Sequence, residues 1–250
     1  MQLTPYPDIN TLLRRVLYSA KAILGDKFVG MYLYGSLASG DFDPESSDID
    51  FAIATTDDLD GATIDRLKAM HNAVKANGGQ WARHLEGCYI SLAKLCKYTP
   101  DQSVPHLNEH GFEVRTLGPD WVFQRQVIRG HRMIVAGPDP RKLIDAVSKE
   151  NIQRAVHDVL VNYWSKSIED PSWLKQKKYQ AFAVLTMCRA LYAFKLGEIV
   201  SKPEAANWAA ENHATWAPLI RRSLTERASR DESDYSQALD FIKFTINYVQ

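Results

Sequence analysis

The sequence predicts an α/β half followed by a helical bundle, and three observations carry that expectation. Short runs of β-branched and aromatic residues alternate with amphipathic helical stretches over the first half. A Gly137-Pro138-Asp139-Pro140 cluster then interrupts the pattern. Beyond it the strand signals stop and only helical periodicity continues. The expected domains are residues 1–140 and 141–250.

Taken in order, residues 8–24 carry a helical stripe of Ile9, Leu12, Leu13, Val16, Leu17 and Ala20, stopped by Gly25. Phe28 to Tyr34 is a short strand run. Asp48 to Ala54 is another, with Ile49, Phe51 and Ile53 alternating against Asp48 and Asp50. Residues 62–76 return to helical spacing and end at Gly78-Gly79, and a third strand covers Glu86 to Leu92. Residues 99–111 look irregular, 112–117 strand-like and 120–134 helical. The second half reads as helices at 149–167, 172–196, 203–212, 215–229 and 232–249. Pro171 near the start of the second and Gly197 at its end are favourable terminators.

The chain has 250 residues, enough for a sizeable core without covalent staples. Apolar residues at 45% and charged residues at 24% describe an ordinary globular protein. Thirty basic residues balance thirty acidic ones, which argues against nucleic-acid binding. Cys88, Cys96 and Cys188 are odd in number and form no C-x-x-C pair, the usage of a reducing compartment. No secretory start and no apolar run of about 18 residues is visible, so the expectation is a cytoplasmic monomer without a membrane span.

The chemistry concentrates in Gly35-Ser36-Leu37-Ala38-Ser39-Gly40, a following acidic loop, and Ser47-Asp48-Ile49-Asp50. Strand residues two apart share a face, so Asp48 and Asp50 project together. Two adjacent carboxylates repel unless a cation lies between them. Hard oxygen donors suit Mg²⁺, which also takes substrate phosphates and water. The Gly35-Ser36 turn offers backbone N–H groups and a hydroxyl for phosphate oxygens. A phosphate cradle beside a carboxylate pair points to metal-assisted nucleotide chemistry. His106-Leu107-Asn108-Glu109-His110 formally fits the zinc spacing H-x-x-E-H, but Pro105 and Gly111 bracket it too closely for the helix that motif needs.

The pairing of Gly35-Ser36 with Ser47-Asp48-Ile49-Asp50 resembles the signature of the DNA polymerase β-like nucleotidyltransferases. Glu86, in His84-Leu85-Glu86-Gly87, falls where the streptomycin/spectinomycin adenylyltransferases have a third carboxylate. Val184-Leu185-Thr186-Met187-Cys188-Arg189, Gly197 to Lys202 and Ala205 to Ala209 are similar to the second domain of that family. The resemblance implies a mixed sheet, a helical C-terminal domain closing the substrate cleft, and ATP with Mg²⁺ bound there. It implies AMP transfer to a hydroxyl of a small molecule, an aminoglycoside or aminocyclitol antibiotic, and hence antibiotic resistance. Asp48 and Asp50 are then the metal ligands and Glu86 the base. Gly35, Ser36, Ser47, Lys202 and Arg189 are the nucleotide contacts.

The sequence departs from those relatives in places. Where they carry acids before the Val-Leu-Thr segment this chain has Lys175, Lys177, Lys178 and Tyr179, and its nearest acids for an amine are Glu169 and Asp170. The tyrosine those relatives place near the nucleotide is replaced at about Arg227. Two alternatives stand beside the leading one: transfer to a protein or RNA acceptor, and a nucleotide-binding module that has lost catalysis.

Overall fold

A computed structural model of the chain describes residues 3–45, 47–225 and 235–250. The chain forms two compact units, Met1–Ala146 and Val147–Gln250.

The first unit is built on a six-stranded mixed sheet. Its elements are α1 (Pro7–Leu24), β1 (Phe28–Leu33), α2 (Gly35–Ser39), β2 (Ile49–Thr55), α3 (Gly61–Asn77), β3 (Leu85–Ser91), α4 (Leu92–Cys96), β4 (Ser103–Asn108), β5 (Gly111–Thr116), α5 (Trp121–His131) and β6 (Ile134–Ala136). The strand order is β5-β4-β3-β2-β1-β6. Only β2 and β3 run parallel, linked by α3 as a parallel pair requires, and the other neighbours are antiparallel. Alternation along the strands decides what each face carries. Ile49, Phe51 and Ile53 join Leu13 and Val16 of α1 and Leu67 and Val74 of α3 in one buried cluster. Asp50, Ala52 and Ala54 therefore occupy the opposite face. Asp60 caps α3 by accepting the Thr63 N–H at 2.8 Å.

Two expectations needed correction here. Residues 99–111 are not irregular: β4 forms a hairpin with β5, from Ser103↔Thr116 to Asn108↔Gly111. Pro105 and the uneven apolar order concealed it, because this strand is specified by its partners and not by its own alternation. The helix expected to 134 stops at His131, since Arg132 adopts a left-handed backbone (φ 53°) and its N–H closes on the Ile128 carbonyl. The chain then turns into β6, which pairs with β1.

The second unit is helical: α6 (Lys149–Val159), α7 (Ser165–Ser167), α8 (Lys177–Leu196), α9 (Lys202–Asn212), α10 (Ala217–Thr225) and α11 (Tyr235–Val249). α8 packs against α6, α9, α10 and α11, burying Val184, Met187, Cys188 and Leu191. A π-helical turn, Leu160–Trp164, interrupts the stretch expected as one helix over 149–167. The stretch expected as a helix over 172–196 divides into a 3₁₀ turn, Pro171–Lys175, and α8. Ser148 and Ser201 cap α6 and α9, and Gly197 ends α8 at φ 75°. Arg227 and the facing ends of the helices expected at 215–229 and 232–249 lie outside the described residues. Among those described, no helix is long and apolar enough to cross a membrane.

Candidate active site

The first unit gathers its polar side chains where β1, β2 and β3 meet. β1 leads through Tyr34 into Gly35, whose φ of 62° lies in the left-handed region. A Cβ at Gly35 would come within 1.8 Å of the Asp50 Oδ2, so only glycine lets the backbone pass beneath that carboxylate. The Tyr34 N–H donates to the Asp50 carbonyl at 3.2 Å and holds the turn against β2.

The loop from Asp41 to Ser47 is tied across its neck. The Ser47 N–H donates to the Asp43 carbonyl at 2.8 Å, and the Asp43 N–H donates to the Ser47 hydroxyl at 3.0 Å. Ser47, expected as a nucleotide contact, also ties the loop that precedes Asp48. The Asp48 Oδ1 lies 3.5 Å from the His84 Nδ1, with both side chains about half exposed.

Glu86 is brought to the aspartates by register. β2 and β3 pair Ile49↔Leu85 and Asp50↔Glu86, so Asp50 and Glu86 stand side by side on one face of the sheet. Burial raises the Glu86 carboxyl above its usual range, and the Asp48 charge pushes it the same way. Arg115, on β5, partly counters this. A carboxylate so placed is a stronger proton acceptor than a solvated one.

Two residues enter this field that sequence reasoning missed. Asp120 precedes α5 and looks like an ordinary helix cap, yet its side chain makes no cap bond. The residue is exposed, yet desolvation of its carboxyl raises its pKa, and its charge acts on both Glu86 and Tyr34. The Tyr34 hydroxyl is fully buried and held well above its ordinary value by burial, then by the Asp50 charge. Nothing local in the sequence signals either role.

The donor set fits Mg²⁺. Asp48 and Asp50 supply hard carboxylate oxygens, and the Gly35 backbone passes close against Asp50. Among the described residues no three His, Cys, Asp or Glu side chains form a closed metal set. One or two carboxylates completed by substrate phosphates is the usual Mg²⁺ arrangement. The H-x-x-E-H run is no metal helix: His106 is on β4 and His110 in the hairpin turn.

The remaining expected residues belong to the second unit. Lys202 opens α9, with its Nζ 5.5 Å from the Phe182 ring centroid. Arg189 is half-buried in the middle of α8. Glu169 and Asp170 are exposed, and Asp170 accepts the Ser172 N–H at 3.1 Å, capping the turn at Pro171–Lys175.

Comparison with known proteins agrees with this chemistry. Residues 17–79 match the model of the nucleotidyltransferase domain, which spans the Gly-Ser turn and both aspartates. Residues 142–250 match the model of the aminoglycoside adenylyltransferase C-terminal domain. The two matches make the chain similar to the aminoglycoside nucleotidyltransferases in both units. This nucleotidyltransferase is 24% identical to the spectinomycin 9-adenylyltransferases of Staphylococcus aureus strains Mu50 and N315, over 94% of its own length and 93% of theirs. Its fold is that of the spectinomycin adenyltransferase of Enterococcus faecialis, solved with ATP and spectinomycin. The TM-score is 0.74 at 16% identity, covering 96% of this chain and 98% of that one. The nucleotidyltransferase is accordingly an adenylyltransferase enzyme.

Proposed function

We propose that the enzyme transfers AMP from ATP to a hydroxyl of an aminocyclitol or aminoglycoside antibiotic, with a spectinomycin-like aminocyclitol as the acceptor. The observation that carries this reading is the Asp50↔Glu86 register beside the Gly35 turn. It sets a cation-holding carboxylate next to a proton-accepting one. The names of the relatives support the acceptor class.

In this scheme Asp48 and Asp50 hold Mg²⁺, and Gly35 and Ser36 hold phosphate oxygens. When bound, the metal neutralises charge on the attacking and leaving oxygens. Glu86 takes the proton of the acceptor hydroxyl as that oxygen bonds to the α-phosphorus. The bond from the α-phosphorus to the bridging oxygen breaks, and pyrophosphate leaves. Lys202 and Arg189 act as cationic partners of the triphosphate, and Glu169 and Asp170 as anionic partners of the acceptor amines. The first unit is the catalytic domain and the second supplies substrate contacts.

The test is a screen of purified protein with Mg-ATP against spectinomycin, streptomycin and other aminoglycosides. It reads pyrophosphate release and the mass of the modified drug. Spectinomycin-dependent release with an adenylylated product is expected. Release with none of these acceptors would overturn the acceptor class.

A further inference from the structure

We infer that His84 is a positioning residue: it orients the Asp48 carboxylate for the metal and is itself held by a row of aromatic rings. The inference rests on the proposed function, since it assumes that Asp48 is a metal ligand.

Register is the first ground. β2 and β3 pair Ile49 with Leu85, so one residue earlier along both chains Asp48 faces His84. The contact of 3.5 Å between the His84 Nδ1 and the Asp48 Oδ1 follows from that register. His84 ends the turn Gln80–His84, and Glu86 lies two residues further on in β3. The same strand end thus serves both aspartates, with Glu86 beside Asp50 and His84 beside Asp48.

The second ground is the support behind His84. Its ring meets Trp81 at 6.0 Å, Trp81 meets Phe42 at 5.8 Å, and Phe42 meets Tyr6 at 5.1 Å. Tyr6, Phe42 and Trp81 are partly buried and packed on the core cluster. Phe42 belongs to the loop that delivers Asp48, and Trp81 to the turn Gln80–His84 that delivers His84. One row of rings therefore ties together the two segments whose ends must meet.

At half exposure an Asp–His contact contributes little to stability. Its value lies in geometry. The Nδ1 beside Oδ1 would restrain the carboxylate, and Oδ2 would then remain for the cation. Partners of this kind typically affect metal affinity by about 10–100-fold.

The test measures Mn²⁺ binding by electron paramagnetic resonance, with a non-hydrolysable ATP analogue present, for wild type, His84→Ala, His84→Asn and Trp81→Leu. An asparagine amide can place a donor where the Nδ1 stood. The expected result is Mn²⁺ affinity lowered about 10-fold or more in His84→Ala, largely restored in His84→Asn, and intermediate in Trp81→Leu. Melting temperatures should stay near wild type in the two His84 variants, while Trp81→Leu, which removes a partly buried ring, should melt lower. In turnover, His84→Ala should need more Mg²⁺ and regain most of kcat when Mg²⁺ saturates. Unchanged Mn²⁺ affinity in His84→Ala would overturn the inference. Equal loss in His84→Ala and His84→Asn would overturn the donor role. Failure of the wild type to bind Mn²⁺ with the analogue would instead overturn the proposed metal site.

Discussion

Acid should destabilise the first unit through His71. His71 lies on α3 with its ring packed between Phe51 at 5.9 Å and Phe112 at 5.4 Å. Its Nε2 is 2.8 Å from the Tyr89 hydroxyl, while its Nδ1 is buried without a hydrogen-bond partner. Burial lowers its pKa from 6.5 to about 4. The unfolded chain therefore takes up a proton below pH 6.5 that the folded chain refuses until about pH 4. Stability is fully present above the upper value and falls by about 1.4 kcal/mol for each pH unit between the two, about 3 kcal/mol in all. Below about pH 4 this loss is complete. His106 and His213 are lowered by burial and act in the same sense. Glu86 and Asp120 are raised and act in the opposite one. Comparison with His71→Phe isolates the histidine: it keeps the ring packing, cannot titrate, and costs about 1–3 kcal/mol at neutral pH by leaving the Tyr89 hydroxyl unpaired. The assay is urea unfolding at several pH values between 7 and 4.5. It follows exposure of buried Cys88 to 4,4′-dithiodipyridine, which still reacts in acid, with the labelled peptide identified by mass. Wild type should lose about 2–3 kcal/mol more than His71→Phe over that range. Parallel pH profiles for the two proteins would refute the argument.

Glu86→Gln should lower turnover by about 10²–10⁴-fold while Mg-ATP affinity, read by calorimetry, changes much less; near-normal turnover would return Glu86 to an ordinary strand residue. Gly35→Ala should abolish AMP transfer and the thermal shift produced by Mg-ATP, because the new Cβ meets the Asp50 Oδ2 at 1.8 Å and the backbone is left-handed. Lys202→Ala should reduce the Mg-ATP thermal shift without lowering the melting temperature of the ligand-free protein, and an undiminished shift would remove Lys202 from the triphosphate contacts.

The pairing of Asp48 and Asp50 beside the Gly35-Ser36 turn was legible in the sequence because it is local, and their role as metal ligands stays a proposal. The alternation of Ile49, Phe51 and Ile53 against the two aspartates assigns one face to the core, and the Gly35-Ser36 turn stands a short loop away. The stripe on α1 and the stop at Gly197 are local in the same way. Glu86 was found only through resemblance, for its own neighbours say no more than strand end. Its place beside Asp50 is decided by which residue of β3 pairs with which of β2, across the whole of α3. The strands β4 and β6, the carboxyl of Asp120 and the contact of His84 with Asp48 were decided in the same manner. Side-chain periodicity encodes which face a residue takes, a property of a few consecutive residues. Register and burial depend on how distant segments pack, and only the folded core sets which of them meet.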